Sequence, residues 1–130
     1  MNRYMLLELF GKSYHKSNDC SDELIDMLCM VFTDHGPNGD WVLRDLLDPD
    51  SRGVVGSKTN ISIEGEKVTL EPSTTIVDNP EDYAVEIDRK VLIKLTNEWQ
   101  ALVDQDAPNI YIYYKDGKYG VSDVLPEGVE

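Results

Sequence analysis

Asp116-Gly117 sits between two runs of alternating residues, and this pair constrains the fold more than any other feature of the chain. It is the strongest short-range hairpin signal a sequence can carry. A two-residue loop sets Lys115 opposite Lys118, Tyr114 opposite Tyr119, Ile112 opposite Val121 and Ile110 opposite Asp123. Ile110, Ile112, Tyr114, Tyr119 and Val121 then share one face, a core face. Tyr111, Tyr113, Lys115, Lys118, Gly120 and Ser122 share the other.

The segment before this hairpin predicts a helix. Asp88 opens it, and Leu92, Leu95, Trp99, Leu102 and Val103 form one apolar stripe to about Asp104. Lys90, Lys94 and Glu98 lie on its outer face. Further upstream the period changes to two. Ile61 and Ile63 alternate with polar residues, as do Val68 and Leu70, and Gly65-Glu66 between them suits a second tight hairpin. Residues 74–77 and 83–87 predict further strands.

The first third reads differently. Tyr4 to Phe10 is almost continuously apolar and predicts a strand buried on both faces, ended by Gly11. Residues 13–21 are polar and predict a loop. Ser21 or Asp19 can cap a helix to about Thr33, with Asp22 and Glu23 in its first turn and Leu24, Met27, Leu28 and Val31 as its buried stripe. Gly36-Pro37-Asn38-Gly39 breaks the chain. Asp40 can cap a short helix with Val42, Leu43, Leu46 and Leu47 inward, stopped by Pro49. The order is β-α-α-β-β-β-β-α-β-β. It predicts an α+β fold, a mainly antiparallel sheet with two main helices packed on one face. One domain over residues 1–125 and a frayed tail over 126–130 are expected.

At 130 residues and 41% hydrophobic, the chain is long and apolar enough for a core without staples. Cys20 and Cys29 would stand roughly 13 Å apart along a shared helix, too far for a disulfide. Free thiols suit a cytoplasmic location. Glu8 interrupts the apolar N-terminal run before a secretory core is complete, and no segment approaches a membrane span.

Catalytic and metal-binding sets are missing from the pattern. His15 lies in a polar stretch and His35 follows a helix end, so both read as surface or capping groups. Zinc spacing is absent. Asp48-Pro49-Asp50 and Asp104-Gln105-Asp106 lack the Asp-Gly and late Glu of a calcium loop. No phosphate-binding loop occurs, and no cofactor is expected. Nucleic acid is a poor partner, because phosphate neutralisation needs clustered Lys and Arg.

Charge is what remains. The chain carries 25 Asp and Glu against 12 Lys and Arg, a formal net charge of −13. From Asp19 to Asp50, Asp19, Asp22, Glu23, Asp26, Asp34, Asp40, Asp45, Asp48 and Asp50 face only Arg44. Such like charge repels itself in a compact state, and a basic partner is one reason to keep it. Glu23, Asp26, Asp40, Asp45, Asp48 and Asp50 are therefore the expected electrostatic contact. Tyr111 and Tyr113, on the outer strand face, are the expected aromatic anchor.

In size, acidity, single α+β build, missing secretory signal and missing catalytic residues, the chain resembles the small bacterial immunity proteins of polymorphic toxins. Those of contact-dependent growth inhibition systems are the nearest in kind. The resemblance implies a cytoplasmic protein, not an enzyme, that binds a cognate toxin domain and blocks it. Many such toxins are nucleases whose basic clefts attract carboxylates. The alternative is an adaptor or subunit of a larger assembly, with acidity serving solubility. A small carboxylate enzyme would need a pocket holding two acids with pKa values pushed apart.

Overall fold

The computed structural model describes residues 1–34 and 40–130, and only the backbone of residues 40 and 41. The expected break at residues 36–39, and His35, lie outside the described residues. The fold is α+β. It contains two four-stranded antiparallel sheets rather than the single sheet expected. The first comprises β1 (Arg3–Phe10), β2 (Ser13–Lys16), β7 (Asn109–Lys115) and β8 (Lys118–Ser122), in the order β2-β1-β7-β8. The second comprises β3 (Gly53–Val55), β4 (Thr59–Glu64), β5 (Lys67–Pro72) and β6 (Val85–Asp88), paired in chain order.

Both tight hairpins form in the expected register. Tyr114 faces Tyr119 and Ile112 faces Val121, with Asp116 at φ 50° and Gly117 at φ 87° in the turn. Two positive φ values make this a type I′ turn, which Asp-Gly tolerates and most pairs do not. Ile61 faces Leu70 and Ile63 faces Val68 across the β4–β5 hairpin. All four are buried, while Ser62, Glu64 and Lys67 on the opposite side are exposed. On the outer face of the first sheet, Tyr113 lies across Gly120 so closely that a Cβ there would stand 2.3 Å from the tyrosine hydroxyl.

Helix α1 (Glu23–Asp34) packs against strands of both sheets. This explains why its buried set exceeds one stripe. Met27, Leu28 and Val31 are buried as expected, and Ile25, Cys29 and Phe32 are buried as well. A helix that is apolar on more than one face is one with neighbours on more than one side. Its cap is Asp22 rather than Ser21 or Asp19, since Asp22 Oδ1 accepts the Ile25 amide at 3.0 Å.

Helix α3 (Arg89–Asp104) begins at the expected cap, with Asp88 accepting the Lys90 and Val91 amides. It packs on β8, β6 and α2 (Asp40–Leu47). Trp99 stacks on Phe32 at 5.1 Å and meets Tyr14 edge-on at 5.3 Å, joining α3, α1 and β2. Arg89 fixes α2. Its Nε donates to Leu46 O and its Nη2 to Asp48 O, each at 2.8 Å, and its Nη1 donates to Gly65 O at 3.1 Å. A cation is well placed at the C-terminal end of α2, where Leu46 O is one of its acceptors.

Several local expectations are corrected. β1 is not buried on both faces: Met5 and Leu7 are buried while Tyr4, Leu6 and Glu8 are half-exposed. Ser13–Lys16, expected as loop, is the edge strand β2. The expected strand at 74–77 is a turn, with the Ile76 and Val77 amides donating to Ser73 O. Leu47, expected inward, is 61% exposed. The tail does not fray: Val129 is buried and Gly128 O accepts a bond from Asn2 Nδ2.

Candidate functional site

The acidic block separates into structural and surface carboxylates. Asp22 belongs to the first group. Its carboxylate accepts from the Ile25 amide, Arg3 Nε and the Tyr119 hydroxyl, tying α1 to β1 and β8. Arg3 in turn lies 4.2 Å over the Tyr114 ring. Burial alone would raise the Asp22 pKa. The Ile25 amide, Arg3 and Tyr119 outweigh it and hold the carboxyl below its usual range. Asp34 is similar. Burial opposes its charge, but the Ser57 hydroxyl, the Lys58 amide and the hydroxyl and amide of Thr59 bring its pKa down.

The expected footprint on α2 is a different place. Asp45 accepts from Ser51 Oγ at 3.0 Å and lies 3.6 Å from Arg44. Asp48 Oδ1 accepts the Asp50 amide in a local turn. Asp48 and Asp50 are exposed, with Arg89 bonded to the Asp48 carbonyl. The Asp40 side chain lies outside the described residues. No hydrogen bond or ion pair among the described residues joins Asp45, Asp48 or Asp50 to Glu23 or Asp26.

Glu23 and Asp26 do come together, at the rim of a cleft of about 230 Å³. One wall is α1, which adds Met27 and Met30 to the two acids. The other wall is the segment after β5, with Pro72, Ile76 and Val77. Asp82 and Tyr83, on the 3-10 turn Pro80–Tyr83, close the rim. Ile76 is 50% exposed and Tyr83 58% exposed, so large apolar surface stands beside three carboxylates. Among the described residues none of the three is in an ion pair.

The far wall is fixed. Ser73 Oγ and Thr75 Oγ1 both donate to Ser57 O, and Ser57 Oγ donates to Asp34 on α1. The helix that supplies Glu23 and Asp26 therefore also anchors the opposing turn. Sequence reasoning missed Asp82, Ile76 and Tyr83. The adjacent acids Glu81 and Asp82 after Pro80 were the available signal.

Tyr111 and Tyr113 lie on the outer face of the first sheet, half-exposed. Tyr111 packs against Tyr4 with ring centroids 5.8 Å apart. Tyr113 sits opposite Tyr4 and over Gly120. The helices that pack on this sheet reach its other face, where Met5, Leu7, Ile110 and Ile112 are buried. The tyrosines and the acidic cleft are separate surfaces, with no bond between them.

Other chemistry is sparse. A cavity of about 280 Å³ lies over Tyr14, Phe32 and Trp99, and the carboxylate lining it is Asp34, already engaged by the 57–59 backbone and hydroxyls. Burial, then the Asp26 charge, pushes the Cys29 thiol up to about 11, so it is not a thiolate at neutral pH. Among the described residues no group of three His, Cys, Asp or Glu side chains is placed to hold a metal. No helix among them is long and apolar enough to cross a membrane. No family model, curated protein or solved structure matches the chain.

Proposed function

We propose that this chain is a stoichiometric protein inhibitor. It acts as an immunity protein of the contact-dependent growth inhibition kind. In the cytoplasm it binds a basic toxin domain, a nuclease, and blocks it without chemistry of its own. The observation that carries this reading is the cleft beside α1, where Glu23, Asp26 and Asp82 surround exposed Ile76 and Tyr83. Carboxylates outside close ion pairs steer a basic surface, and adjacent apolar area slows its departure. The net charge of −13 extends the same field over the molecule. Asp22 and Asp34, the carboxylates held below their usual range, are committed to structure, which favours binding over acid–base catalysis.

The test is co-expression with candidate basic toxin domains encoded beside the gene. Protection of the host, with a one-to-one complex in gel filtration, supports the reading. A toxin that stays fully active when the chain is in excess overturns it.

A second reading has its own support. The half-exposed Tyr4, Leu6, Tyr111 and Tyr113 form an apolar sheet face apart from the acids. An adaptor or subunit would use that face, with affinity insensitive to salt.

A further inference from the structure

The cleft beside α1 has a shape and charge that favour one kind of occupant. Its apolar lining combines the unbranched side chains of Met27 and Met30 with Pro72, Ile76 and Val77. Its rim carries Glu23, Asp26 and Asp82, and its edge carries the Tyr83 ring. At about 230 Å³ it has room for a single long side chain rather than a helix or a strand.

We propose that this cleft receives one arginine side chain of a partner protein, with its stem on the apolar lining and its guanidinium between the rim carboxylates. The inference rests on the binding reading above and names the chemistry that the site recognises. Arginine fits better than lysine for three reasons. Its planar fork meets two carboxylate oxygens at once. Its charge is less strongly hydrated, so less is lost when the stem is buried. It stacks on an aromatic face, and Tyr83 offers one at 58% exposure. An ammonium has the charge but neither the fork nor the stacking plane. Anionic side chains are disfavoured by the three acids on the rim, and neutral polar ones gain less there than a cation does.

The experiment is a methyl NMR titration of the intact chain with a capped leucine-arginine-leucine tripeptide and its lysine counterpart. The arginine peptide is expected to shift the Met27, Met30 and Ile76 methyls. It should bind at least about threefold more tightly than the lysine peptide, the scale of one partly exposed ion pair. Asp26→Asn and Asp82→Asn should each weaken it by about the same factor, and Tyr83→Leu should reduce the preference over lysine by removing the stacking face. Ile76→Ser keeps every charge and should also weaken binding. Equal affinity for the two peptides, shifts centred elsewhere, no shifts, or indifference to the Asn variants would each overturn the proposal. Failure of the wider reading looks different. If toxin inhibition holds while the cleft variants change neither peptide nor toxin binding, the arginine site is wrong and the inhibitor stands. If the peptide results hold and no basic toxin is bound, the inhibitor is wrong and the site stands.

Discussion

Asp34 takes both the amide and the hydroxyl of Thr59, at 2.9 and 3.0 Å. An acid at the last residue of a helix is misplaced for the dipole. What keeps it is this grip on the 57–59 segment, which in turn supports the wall carrying Ile76. Asp34→Asn should cost about 1–3 kcal/mol, because it withdraws a charged acceptor from several donors at once. Chemical denaturation at neutral pH measures the loss. The same variant should weaken partner binding without altering a rim charge.

Acid should unfold the chain through the same groups. Asp22 and Asp34 have folded-state pKa values below those of the unfolded chain. Their contribution is fully present above the unfolded carboxylate value of about 3.9 and is lost as pH falls through the folded values. Stability should be flat near neutrality and decline below about pH 4. Asp22→Asn should flatten that decline. A pH series of urea midpoints checks it, and an unchanged slope in the variant would contradict the assignment.

The Arg3–Asp22–Tyr119 set predicts an ordering of damage. Tyr119→Phe removes one of three donors and should cost about 1 kcal/mol. Arg3→Met leaves the buried Asp22 carboxylate without its cation and should cost more. Equal losses in thermal melts would contradict the ordering.

Much of the fold was legible where the determinants are local. Asp116-Gly117, Gly65-Glu66 and the Asp88 cap each act within a few residues, and the elements they define form where expected. Division into two sheets depends on β1 pairing with β7 and β5 with β6, contacts that no local pattern encodes. β2 escaped notice because Tyr14 alone among its four residues turns toward the core. In the candidate cleft, Glu23 and Asp26 had stood out in the charge run. Ile76 had not, because the β-branched run Thr74-Thr75-Ile76-Val77 has strand propensity, and Ser73 folds it into a turn instead. The structural duties of Asp22 and Asp34 were equally hidden, since their partners are remote in sequence.

Gly120 and Tyr113 should be coupled. Gly120→Ala places a methyl group against the Tyr113 ring and should cost about 1–3 kcal/mol. Tyr113→Ala removes the obstacle, so the double variant should lose less than the sum of the singles. A double-mutant cycle measures the coupling, and additive losses would contradict it.

Arg89 should prove more than a surface charge. Arg89→Lys cannot reach the Leu46, Asp48 and Gly65 carbonyls together, so α2 should loosen. Hydrogen exchange of the residue 42–47 amides should accelerate in the variant while β7 amides stay protected. Unchanged exchange over 42–47 would contradict the role given to Arg89.

The central claim is that carboxylates on α1 and the 3-10 turn draw in a cationic protein. Stopped-flow association with the basic toxin domain, as a function of ionic strength, tests it most directly. The on-rate should fall about tenfold or more from low to physiological salt. The Glu23→Gln, Asp26→Asn, Asp82→Asn triple variant should associate more slowly and with a flatter salt dependence. An on-rate that ignores salt, or a triple variant that associates as fast as the natural sequence, would contradict the account.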